Sequence, residues 1–267
     1  MDDKLIIKLY SEGKSLAALS RMSGLSTYKV RQLLVNNNIE IRTQAQQNVF
    51  SNQERAKSVN EHYFDKIDNL KKAWILGFIA ADGSISKKRN CIKIGLSTVD
   101  KEILEKIRQE VKIERCILDS ETNNGFAISD LTWSNANHKY QLSKYGIVPN
   151  KTYHTINVPK LPLELQLAYI QGYFDGDGCF RDDGKYCRWE ICGYKKETLE
   201  SIANVLNKFV KKDKKVYMSP NRKNYYTLTY STEDAFTILN KSYEICPLTL
   251  KRKRDKFFNW AKRNQRI

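Results

Sequence analysis

One folding unit occurs twice in this chain. From residue 67 to about 265 the sequence aligns with itself at an offset of 95, so that Ala73 meets Ala168, Gly77 meets Gly172, Asp82 meets Asp177 and Gly83 meets Gly178. Farther along, Lys101-Glu102 meets Lys196-Glu197, Leu104-Glu105 meets Leu199-Glu200 and Ile107 meets Ile202. After a small insertion, Leu142, Lys144 and Pro149 answer Leu239, Lys241 and Pro247. A duplicated unit is the economical explanation, and it restricts the fold to something that packs against a copy of itself. Each copy opens with an apolar segment that stops at an acid and a glycine: AWILGFIAADG over 73–83 and AYIQGYFDGDG over 168–178. Gly77 and Gly172 fall mid-helix, where glycine costs close to 1 kcal/mol relative to alanine, so their presence needs a reason. Close helix packing supplies it. If the two helices pair across a pseudo-twofold axis, Gly77, Ala80 and Ala81 face Gly172 and Gly176, the backbones approach, and Asp82 and Asp177 converge.

The rest of each copy alternates periods of two and 3.6. Hairpins are predicted over 84–96 and 179–191, with Cys91 to Leu96 alternating as a half-buried strand does and Lys93 on its polar side. Helices follow near 99–111 and 195–210, second hairpins near 114–134 and 215–230, and helices again near 136–145 and 232–243.

Ahead of the duplication, residues 1–46 fit three short helices. Gly24 suits a left-handed turn and Ser26 an N-cap, which makes the second and third helices a helix-turn-helix. The third would present Thr27, Tyr28, Lys29, Arg31 and Gln32 to a major groove, and Arg42 would act as a minor-groove arm. A small bundle with a solvated basic face accounts for the same spacing. Residues 47–66, polar and rich in Asn and Gln, read as a linker, helical in part. The domains expected are therefore a helix-turn-helix domain (1–46), the linker, a first repeat (67–160) and a second repeat with a basic C-terminal helix (161–267).

Charge narrows the partner. Lys and Arg number 46 against 30 Asp and Glu, a net +16, which suits a polyanion. No apolar run approaches a membrane span, and the N-terminus lacks the charge order of a secretion signal, so a membrane role is excluded and a cytoplasmic location expected. The 6 cysteines form no CxxC pair and the 3 histidines lie far from them in sequence, which argues against zinc and against a thiol nucleophile.

The paired segments resemble the motifs of the LAGLIDADG homing endonucleases, over residues 67 to about 262. The first copy departs from the family pattern at Ala80, where the second keeps Asp175. The resemblance implies an α+β fold, two pseudo-symmetric αββαββα repeats whose strands form a saddle astride DNA, here preceded by a small all-α helix-turn-helix domain. It makes Asp82 and Asp177 the metal-binding carboxylates, with Gly83 and Gly178 beside them, and Mg²⁺ the cofactor, replaceable by Mn²⁺. A carboxylate at the negative end of a helix dipole is unfavourable without a cation, which supports that assignment over a plain Asp-Gly turn. The family also places a basic residue near each scissile phosphate, aligning here with Lys151 and Lys253. On or beside the saddle strands would lie Lys87, Lys88, Arg89, Lys93, Arg115, Arg181, Lys185, Arg188, Arg222 and Lys223. Singly, each is explained as well by solvation of a strand edge. Together they suit phosphate neutralisation and base reading.

The activity implied is that of a monomeric, site-specific endonuclease that cuts both strands of a long, asymmetric DNA target and leaves short 3′ overhangs. The lysine and asparagine content points to an AT-rich genome, such as that of a phage or a mobile intron, and a bacterial or phage source is expected, with an organellar one as the alternative. A non-cleaving DNA-binding regulator on the same scaffold is the rival, and an RNA intron maturase role stays open. No splicing block flanks the pair, which argues against an intein.

Overall fold

In a computed structural model, residues 1–57, 59–220 and 222–267 are described, without the side chains of 51–57. The chain forms two compact units, Met1–Ser58 and Val59–Ile267.

The first unit is helical. α1 (Asp3–Ser11), α2 (Leu16–Ser23) and α3 (Thr27–Asn36) are each capped by a side chain: Asp2 accepts from the Leu5 amide, Ser15 from Ala18 and Ser26 from Lys29. Gly24 ends α2 with a φ of 73°, the left-handed turn that glycine adopts without a steric penalty. Ile6, Tyr10, Leu19, Val30 and Leu34 form its core. α4 (Gln44–Lys57) then runs through much of the stretch that reads as a linker. Its first half is anchored: Gln47 donates to the Gly13 carbonyl at 2.9 Å, and the Phe50 ring lies against Gly13. Beyond it, Val59, Tyr63, Phe64 and Ile67 are buried in the core of the second unit. The scattered aromatics in that polar run are therefore anchors, two to the second unit and one to the first, which a composition argument averages away.

The second unit repeats one topology. The first half comprises α5 (Leu70–Asp82), β1 (Gly83–Ile85), β2 (Cys91–Ser97), α6 (Lys101–Glu110), β3 (Leu118–Glu121), β4 (Ala127–Ser134) and α7 (Ala136–Lys144). The second comprises α8 (Leu163–Asp177), β5 (Cys179–Asp183), β6 (Tyr186–Gly193), α9 (Lys196–Leu206), β7 (Tyr217–Met218), β8 (Tyr226–Ser231) and α10 (Thr232–Ile245), followed by α11 (Lys251–Arg263). The sheets are antiparallel with orders β1-β2-β4-β3 and β5-β6-β8-β7. This is the duplicated αββαββα fold that the sequence implies. Alternation sets which face is covered: Ile92 and Ile94 of β2, Leu131 and Trp133 of β4, and Trp189 and Ile191 of β6 are buried, while Lys93, Arg181 and Arg188 stay exposed on the other face.

The halves meet at α5 and α8. A Cβ built on Gly77 would lie 1.9 Å from the Tyr169 carbonyl oxygen, and one on Gly172 would lie 2.0 Å from that of Trp74. Each glycine thus lets the other helix's backbone in, the contact that their mid-helix positions demand. Ala73 to Ala81 of α5 and Leu167 to Asp175 of α8 are buried without interruption. The seam also carries a polar staple. Buried Asp175 accepts from Trp74 Nε1 across the seam at 3.0 Å, from Gln171 Nε2 at 3.1 Å and from the Leu250 amide at 3.2 Å. Burial pushes its carboxyl up to about 7.

Candidate active site and nucleic-acid interface

Because the seam ends both helices side by side, Asp82 and Asp177 close α5 and α8 together. Gly83 and Gly178, which turn each chain into a strand, are glycines for steric reasons: a Cβ would lie 2.5 Å from the Ile79 carbonyl oxygen at Gly83 and 2.1 Å from the Phe174 ring at Gly178. Burial, then repulsion from Asp177, pushes Asp82 up to about 6. Asp177 is raised by the protein packed around it, although its side chain still reaches solvent, the access a metal ion or phosphate requires. Among the described residues neither carboxylate accepts a hydrogen bond, and none offers a cluster of three or more His, Cys, Asp or Glu. Two close, unpartnered, mutually repelling carboxylates suit a cation that takes few protein ligands and keeps its waters, as Mg²⁺ does.

Two ammonium groups sit beneath them. Lys151 donates to the Ala81 carbonyl at the end of α5. Lys253, at the start of α11, donates to the carbonyls of Phe174 at 2.7 Å, Asp175 at 2.8 Å, Gly176 at 3.2 Å and Gly178 at 2.5 Å. Burial lowers the pKa of both, Lys253 to about 8. A cation there neutralises the negative end of α8. The Lys253 ammonium has three protons for four carbonyls, so none is left for a phosphate. The Gly178 carbonyl accepts one of these bonds and keeps a second lone pair. Lys253 is thus committed to the end of α8, whereas Lys151 has one carbonyl partner and lies beside Asp177.

Among the basic residues of the saddle, Lys87, Lys88 and Arg89 occupy the exposed β1–β2 turn, Lys185 the β5–β6 turn and Arg115 the approach to β3. Lys93, Arg181 and Arg188 project from the open faces and are paired with Asp130 at 2.7 Å, Glu190 at 3.0 Å and Asp183 at 2.9 Å. Lys223 is exposed, and Arg222 stacks on Tyr225 and Tyr194 with ring-centroid distances of 4.4 and 4.9 Å. In the first unit Thr27, Tyr28, Lys29, Arg31 and Gln32 are all exposed on α3. Arg42 is a correction, since it is no free arm. Its guanidinium stacks 3.9 Å from the Tyr10 ring centroid and donates to the Lys14 carbonyl at 2.7 Å, so it fastens the segment after α3 to α1.

Sequence reasoning passed over a polar cleft of about 240 Å³ beside Asp177, lined among others by Lys151, Tyr173, Tyr194, Lys195 and Tyr225. The signal was available in the internal alignment, where Tyr194-Lys195 answers Val99-Asp100. In that counterpart Asp100 is buried and receives Arg252 Nε at 2.8 Å.

The comparisons agree with this architecture. The model of the LAGLIDADG-like domain matches residues 69–135 and 164–241, one match per repeat and together more than half of the chain. The I-LtrWI LAGLIDADG homing endonuclease, solved bound to target DNA, is 12% identical, with 77% of this chain and 91% of that one covered at a TM-score of 0.50. The full-length DUF199/WhiA structure from Thermatoga maritima is 16% identical, covering 74% and 64% at a TM-score of 0.46. In sequence, DNA-directed RNA polymerase subunit Rpo1C of Methanocaldococcus jannaschii is 30% identical over 181 residues, 64% of this chain, and the chain spans 20% of that protein's length. With both repeats matched and the duplicated fold in place, the chain belongs to the family of LAGLIDADG-like domain proteins.

Proposed function

We propose that this protein is a metal-dependent, site-specific DNA endonuclease acting as a monomer on both strands of a long, asymmetric target. The observation that carries this reading is the pair Asp82 and Asp177, at the adjoining ends of α5 and α8, raised in pKa and without hydrogen-bond partners among the described residues. A bound Mg²⁺ would supply an activated water, charge neutralisation at the phosphoryl oxygens and help for the leaving 3′ oxygen. Asp82 and Asp177 would hold it, and Mn²⁺ would serve in its place. Lys151 and Lys253 neutralise the carbonyl ends of α5 and α8, and so keep two acids ionised where the helix dipoles oppose it. The open sheet faces position the duplex, and α3 of the first unit adds a second DNA contact.

The test is cleavage of a randomised duplex library with sequencing of the ends. Cutting should require Mg²⁺ or Mn²⁺ and stop in chelator. Tight binding with no cleavage in either metal would favour a regulator on this scaffold instead. Affinity should fall steeply with salt, with a slope in log K against log salt of about −0.9 for each phosphate neutralised. Lys29→Ala with Arg31→Ala in the full chain should shallow that slope by about 1 to 2 and shorten the footprint, leaving the cut phosphates unchanged. An unaltered slope and footprint would remove α3 from the interface.

A further inference from the structure

The two repeats provide an internal control. At the position after β2 the first half has Val99 and Asp100, and Arg252 pairs with Asp100 at 2.8 Å in a cleft of about 340 Å³ between α11 and the start of α6 that has no aromatic lining residue. The second half has Tyr194 and Lys195 at the matching place, and no ion pair involving Lys195 occurs among the described residues. The cleft there is lined by Asp177 and Lys151 and, unlike its counterpart, by the aromatic rings of Tyr173, Tyr194 and Tyr225. Tyr194 and Tyr225 stand edge to face with centroids 5.1 Å apart. Arg222 stacks on both rings and donates to the Tyr194 hydroxyl without itself lining the cleft, so it stiffens the wall and leaves the interior free. At about 240 Å³ the space is below the range of roughly 300–1,000 Å³ that takes a drug-sized molecule, and it suits one nucleotide. Tyrosine faces hold any base by stacking, and a lysine beside them meets a phosphate.

We propose that this cleft receives a single unstacked nucleotide of the bound DNA, its base against Tyr194 and Tyr225 and its phosphate on Lys195. The proposal rests on the endonuclease reading of Asp82 and Asp177. It deepens that reading by making the interface unequal: the strand at the second repeat is distorted next to the reacting phosphate, and the strand at the first repeat, whose matching cleft holds an ion pair and no aromatic residue to stack on, is not.

Extruding a nucleotide is easiest where its pairing is already broken, which gives a test by binding alone. The probe is a duplex that the full-length protein has been shown to cut, assayed in chelator, with a mismatch or an abasic nucleotide placed at each central position in turn. At one position, on one strand, a mismatch should tighten binding about fivefold or more. An abasic nucleotide there should tighten it less, because no base remains to stack. In Tyr194→Ala with Tyr225→Ala that difference should vanish, and Tyr194→Phe with Tyr225→Phe, which keeps the rings and the fold, should retain it. A cut duplex in which every mismatch weakens binding or leaves it unchanged overturns the proposal and leaves the nuclease standing. So does a mismatch–abasic difference that persists in the alanine variant, or binding of free dTMP in the cleft that does not compete with the duplex. If the library yields no cut duplex at all, the endonuclease reading fails and the proposal with it.

Discussion

Asp82→Asn and Asp177→Asn should each lower cleavage by about 10²-fold or more, the scale of a metal's contribution to charge stabilisation, while leaving DNA affinity within a few-fold. The second expected effect has the opposite sign and separates this explanation from simple damage. The folded state holds Asp82 at about 6, above the ordinary aspartate value of 3.8, so it favours the protonated form. Its contribution to stability is complete below the ordinary value and is lost as pH rises through about 6. At pH 8 without metal the ionised acid is therefore a liability, and neutral asparagine removes it. Asp82→Asn should exceed wild type in unfolding free energy, and so melt higher, by an amount that grows between pH 4 and 6 and then levels at up to about 3 kcal/mol. Cleavage at the wild-type rate would displace the acids from the chemistry. An unchanged or lowered melting point in chelator at pH 8 would show that Asp82 is held by partners that compensate it.

Gly77→Ala and Gly172→Ala should destabilise the second unit by about 3 kcal/mol or more. In an ordinary helix interior the change would be stabilising by close to 1 kcal/mol. Here the new methyl group would have to occupy space 1.9 or 2.0 Å from a backbone carbonyl oxygen of the partner helix, and backbone cannot swing aside as a side chain does. The helices would have to separate, and the Trp74–Asp175 bond and the convergence of Asp82 with Asp177 would go with them. Gly193→Ala is the control, since nothing lies within 4 Å of its added carbon. Thermal unfolding of the three variants decides the matter: equal melting points would mean that the seam relaxes without cost.

The duplicated fold was legible because both signals that specify it are local. Alternation placed the strands, and an acid with a glycine after an apolar run placed the helix ends. The glycine seam was legible too, because glycine in a helix interior is costly enough to require a cause. Contacts that depend on three dimensions were not. Arg42 looks like a basic arm in sequence, yet Tyr10, thirty-two positions earlier, takes its guanidinium on the ring face and accepts the Arg42 amide at its hydroxyl, contacts that only chain folding supplies. Lys253 sits in a run of basic residues and aligns with a position near a scissile phosphate, and only the packing of α11 on the end of α8 shows it to be buried among carbonyls. In residues 47–66 the partial helix was legible, but polar composition hid Phe50, Tyr63 and Phe64, whose anchoring depends on which unit each one meets.

The seam between α5 and α8 also sets a schedule for synthesis. α5 leaves the ribosome as an almost wholly apolar helix whose partner lies 95 residues downstream. At elongation rates of about 5–20 residues per second that partner arrives roughly 5–20 s later. Until then the first repeat has its hairpins and flanking helices but an uncovered apolar surface, and contacts so distant in sequence form slowly. Folding of the second unit is thus completed late, and overproduction at high temperature, where nascent chains are crowded and unfinished, is the condition under which this protein should aggregate.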